Sequence, residues 1–84
     1  MDFKTATDRV AGCISHAEIA EAAGVSVQTI RQARLDPSAP GHRPPPAGWQ
    51  AVLARLARER SLQLAAFADQ LDKEHFMNDR SKTN

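Results

Sequence analysis

The chain has 84 residues, 42% of them hydrophobic and 25% charged, with a formal net charge of +1. That balance fits a globular chain rather than a disordered one, and no apolar run approaches the roughly 20 residues of a membrane span. Cys13 is the single cysteine, so no internal disulfide can form, and with no signal peptide visible the expected location is cytoplasmic.

A domain this small buries only roughly 60% of its unfolded surface, which favours pairing with a partner subunit. Alanine, leucine, arginine and glutamine are frequent, and the expected fold class is all-α, a single domain of four to five helices over residues 1–77. A first helix is expected from Asp2 to Ala11, with Asp2 as cap, Phe3, Ala6 and Val10 at helical spacing, and Gly12 at its C-terminal end. Cys13 reads as a small core residue. Ser15-His16-Ala17-Glu18 is a capping box that starts a second helix running to about Ala23. Gly24 breaks it, Ser26 caps again, and a third helix runs from Val27 to about Leu35. Asp36-Pro37 ends that helix. Residues 36–47 hold five prolines and Gly41, a stiffened loop.

From Gly48 onward proline and glycine no longer interrupt the chain, and Trp49, Leu53, Leu56, Leu64, Phe67 and Leu71 share one helical stripe. A polar residue takes an apolar slot near Arg60-Ser61. Either one long helix passes through this point, or a fourth helix ends there and Ser61 caps a fifth; a single, barely kinked helix over 48–77 fits slightly better. The tail 78–84 is polar and expected to be flexible.

Residues 16–35 meet the steric needs of a helix-turn-helix. Ala20 is small where the second helix must pack across the first, and Gly24, four positions later, tolerates positive φ. Ile19, Ala23, Val25, Ile30 and Ala33 fall where apolar residues plug the angle between the helices. The stretch resembles the helix-turn-helix of the phage repressor and Cro (XRE-like) family, and the likeness covers roughly residues 14–60. His42-Arg43-Pro44, followed by Trp49 and the leucine stripe, is similar to that family's basic-proline element and following helix, although this loop is longer. The stretch from Ile19 to Leu35 also resembles the start of MerR-type and excisionase domains, whose β-wing has no matching alternating segment here.

The resemblance implies a sequence-specific regulator of transcription acting on double-stranded DNA, with the helix from Ser26 to Leu35 in the major groove. With Ile30 and Ala33 turned inward, Gln28, Thr29, Arg31, Gln32 and Arg34 face outward. Val27, Gln28 and Gln32 map to base-reading positions, with Arg31 next. Ser26, Thr29, Arg34 and Arg43 are the expected phosphate contacts. Charge is polarised accordingly: the segment from Ser26 to Arg60 has six arginines against Asp36 and Glu59, a net +4, and the remainder carries −3. Arg55, Arg58 and Arg60 read as a solvated helix face or subunit contacts.

Leu64, Phe67 and Leu71 are the expected dimerisation element, pairing two copies on a palindromic operator, with contact to RNA polymerase or another regulator as a further expectation. The alternative is a helical interaction module, an adaptor or antitoxin-like partner that uses the stripe and reads no DNA. Neither a phosphate-cradling glycine loop nor a catalytic triad pattern is present, and His16, His42 and His75 lack metal-ligand spacing with Cys13. No enzyme activity, cofactor or metal is expected.

Overall fold

The computed structural model describes the backbone of residues 1–82 and the side chains of residues 1–77. Within these it is all-helical: α1 (Phe3–Arg9), α2 (His16–Ala23), α3 (Val27–Ala33) and α4 (Trp49–Lys82). The first three helices are short and each begins at a side-chain cap. Asp2 accepts the Thr5 amide at 2.8 Å, Ser15 the Glu18 amide at 3.1 Å, and Ser26 the Thr29 amide at 3.1 Å. Each cap satisfies an amide that the first helical turn would otherwise leave unpaired.

The end of α1 differs from the expectation. The helix stops at Arg9 with Val10 as its C-cap, and Gly12 is absent from the positive-φ glycines. The Val10 carbonyl takes the amides of both Cys13, at 2.9 Å, and Ile14, at 2.8 Å. That turn drives Ile14 into the core, where it is 2% exposed. Cys13 is consequently pushed out to solvent and is not the core residue expected.

Phe3, Ala6, Ile14, Ile19, Ala20, Ile30, Ala33 and Leu53 form the core, flanked by Val10, Val25, Val27, Trp49 and Leu56. Ala20 is buried between α2 and α3, as its size predicts. Trp49 meets Phe3 edge to face, with ring centroids 5.1 Å apart, and so anchors the start of α4 on α1. Thr7 is the one buried polar residue among those described; its hydroxyl donates to the Phe3 carbonyl at 2.9 Å.

One continuous helix passes through Arg60-Ser61, and it extends to Lys82, beyond the expected end at Met77. The helical part of the expected flexible tail is thus residues 78–82; Thr83 and Asn84 lie outside the described residues. Arg60 explains the passage. Its guanidinium donates to the Cys13 carbonyl and to Glu18 Oε2, so the polar residue in the apolar stripe ties α4 to the start of α2. Arg60, grouped with Arg55 and Arg58 as a solvated helix face or subunit contact, is instead engaged within the chain. At 34 residues α4 is about 50 Å long. The radius of gyration, 18.6 Å, far exceeds the about 12 Å of a compact domain of this length, because the second half of α4 projects from the body. No helix among the described residues is long and apolar enough to cross a membrane.

Candidate nucleic-acid interface

The pair α2–α3 is built around Gly24. It adopts φ 72° and ψ 30° at the end of α2, a left-handed conformation that costs glycine nothing and other residues a clash of Cβ with the backbone. The Val25 amide then closes on the Ala20 carbonyl at 2.9 Å, which reverses the chain within two residues and points Ser26 into the cap of α3. Ile30, fully buried, and Ala33, 5% exposed, fix the inward face of α3.

That orientation leaves the opposite face outward. Gln28 and Arg31 are exposed, and Thr29 and Gln32 are half-buried on its flanks. Val27 is half-buried and packs against the core, so less of it is presented than the sequence suggested. Ser26 is exposed, and its hydroxyl lies 3.0 Å from that of Thr29.

The proline loop brings one predicted residue to this face. Asp36 Oδ1 accepts from the Ser38 amide at 2.9 Å and the Ser38 hydroxyl at 2.6 Å, folding the loop back as it leaves α3. These bonds stabilise the ionised form and hold the Asp36 carboxyl below its usual pKa. After Gly41 the Arg43 amide donates to the Gln32 carbonyl at 3.3 Å. Arg43 therefore stands exposed beside the C-terminal end of α3, eleven residues on in sequence.

Arg34 departs from its expected role as a phosphate contact. Its guanidinium turns away from the outward face to α1, where Nη2 donates to Asp8 Oδ1 at 2.7 Å and Nη1 to the Thr7 hydroxyl. The Arg34 hydrogen bond, then that of Lys4, holds the Asp8 carboxyl below the usual carboxylate range. Arg34 thus joins α3 to α1. With Arg34 and Arg60 neutralised internally, the basic groups around α3 reduce to Arg31 and Arg43, and among the described residues neither has a carboxylate within salt-bridge distance.

The expected dimerisation residues lie far from this face. Leu64, Phe67 and Leu71 are 54%, 57% and 47% exposed on the projecting half of α4. Among the described residues no cluster of three or more His, Cys, Asp or Glu side chains comes together. The missed partners of Arg34 and Arg60, namely Thr7, Asp8 and Glu18, are remote in sequence, and no local pattern announces them. No family model, curated protein or solved structure matches the chain.

Proposed function

We propose that this protein is a sequence-specific regulator that binds double-stranded DNA by setting the outward face of α3 in the major groove. The observation that carries this reading is the face itself: Gln28, Arg31 and Gln32 on one side of a capped helix, with Arg43 hydrogen-bonded into place beside it. A glutamine amide pairs with adenine N6 and N7, and a guanidinium with guanine O6 and N7. Gln28 and Gln32 read bases, with Arg31 beside them, and Val27 offers a methyl surface to thymine. Ser26, Thr29 and Arg43 contact phosphate and set the register. One seven-residue helix presents few such groups, so two copies occupy one two-fold operator, paired through Leu64, Phe67 and Leu71. Regulation follows from occupancy of the operator, and the protein resides on the nucleoid.

The test is titration of a labelled random duplex at several salt concentrations. Arg31 and Arg43 of the two copies supply about four cationic contacts, which give a log–log slope of roughly −4. A protein-binding adaptor shows no affinity for any duplex, and that result removes the proposal.

A further inference from the structure

The helix α4 carries one apolar face past the point where the rest of the fold uses it. Leu53 is buried, and Trp49 and Leu56 pack on the core. Leu64, Phe67 and Leu71 continue that face at spacings of three and four, yet stand about half exposed. Beside the docked half of α4 runs an open apolar groove. Its first part, about 490 Å³, is lined by Met1, Ala6, Val10, Trp49, Leu53 and Ala57 among others. Its second part, about 240 Å³, shares Val10 and Ala57 and reaches Leu64. Groove and exposed stripe thus meet end to end on one side of the same helix.

Charge divides α4 at the same place. Residues 49–63 contain Arg55, Arg58 and Arg60 against Glu59; with Arg60 held by Glu18, this half keeps a net charge of +1, and Arg9 of α1 lines the groove beside it. Residues 64–77 contain Asp69, Asp72 and Glu74 against Lys73, a net charge of −2.

We propose that two copies pair through α4 in antiparallel orientation, crossing near Leu64, so that Phe67 and Leu71 of each copy fill the groove between α1 and α4 of the other. This arrangement lays the acidic, projecting half of each helix on the basic, grooved half of its partner. It covers both the stripe and the groove with a single two-fold contact. A parallel pair aligns basic half with basic half and acidic half with acidic half, and sets the two α1 flanks against each other. The inference rests on the two-copy part of the proposed function but on no property of α3.

The experiment uses the full chain with Cys13→Ala, an exposed position, in two differently tagged forms, Ala57→Cys and Leu71→Cys. Both positions are exposed, so the fold tolerates the changes; because both lie in the proposed contact, each form is first matched to the wild-type chain for pairing by sedimentation equilibrium. The forms are mixed without DNA and treated with a thiol cross-linker of about 10 Å, the interaxial distance of packed helices. Antiparallel pairing gives cross-links between the two forms, while Leu71→Cys chains, about 20 Å apart along the helix axis, fail to join each other. Cross-links confined to like forms overturn the proposal, as does a monomeric mass by sedimentation equilibrium at micromolar concentration. A mixed cross-link in a protein without DNA affinity leaves the pairing standing and removes only the proposed function.

Discussion

Arg34 Nη2 donates to Asp8 Oδ1 at 2.7 Å across 26 residues of sequence, closing the end of α3 onto α1. The pair holds α3 at the angle from which its outward face projects. Arg34→Ala is expected to lower the urea midpoint modestly, because Asp8 is half-exposed and its pair with Arg34 is screened by solvent. Thr7 keeps its bond to the Phe3 carbonyl, so no buried hydroxyl is orphaned. Under conditions where the variant stays folded, the salt slope of the proposed DNA binding is expected to be unchanged, because the Arg34 guanidinium is engaged by Asp8 and Thr7.

The same pair gives stability a pH dependence. The Asp8 pKa is lowered in the fold, first by Arg34 and then by Lys4; those of Asp2 and Asp36 are lowered through Thr5 and Ser38. A carboxyl with a depressed folded pKa binds protons more readily when unfolded. Its stabilisation is therefore fully present above the unfolded pKa, about 3.9, and is lost as pH falls through the folded value. The urea midpoint is expected to fall below about pH 4, and the fall is smaller in Asp8→Asn.

Gly24 offers a separate test of the turn. Beyond the adjoining backbone, a Cβ built there meets nothing within 4 Å, so any cost of substitution comes from the local strain of φ 72°. Gly24→Val is expected to lose about 1–2 kcal/mol. Gly24→Asn loses less, since asparagine visits the left-handed region more readily. Equal losses in thermal melts for the two variants contradict this account of the turn.

Base reading and phosphate binding separate in mutant affinities. Gln28→Ala and Gln32→Ala each cost roughly 1–3 kcal/mol on the preferred site and little on random duplex. Arg43→Ala is expected to weaken both alike and to lower the magnitude of the salt slope by about 2, one contact from each copy. Equal losses on both duplexes for the glutamine variants remove them as base readers.

Much of this arrangement was legible in the sequence because it is local. Caps at Asp2, Ser15 and Ser26, the turn at Gly24 and the inward pair Ile30 and Ala33 each depend on residues within a few positions. What the sequence misassigned depends on contacts between remote segments. Arg34 had the outward spacing of a DNA contact, but a long guanidinium can swing to a neighbouring helix, and Asp8 and Thr7 wait there. Arg60 looked like a break in the stripe until Glu18 and the Cys13 carbonyl supplied its partners. Cys13 and Ile14 compete for one core place, and the Val10 turn decides it. Such choices are three-dimensional, and periodicity carries no record of them.

The central claim is that the outward face of α3 reads DNA sequence. Selection of bound duplexes from a random pool, with the wild-type chain and with Gln32→Ala in parallel, tests it most directly. The expected result is an enriched inverted repeat for the wild-type chain, and loss of preference at one position of each half-site for the variant. A pool that returns no enriched sequence, or the same motif with equal preference from both proteins, contradicts it.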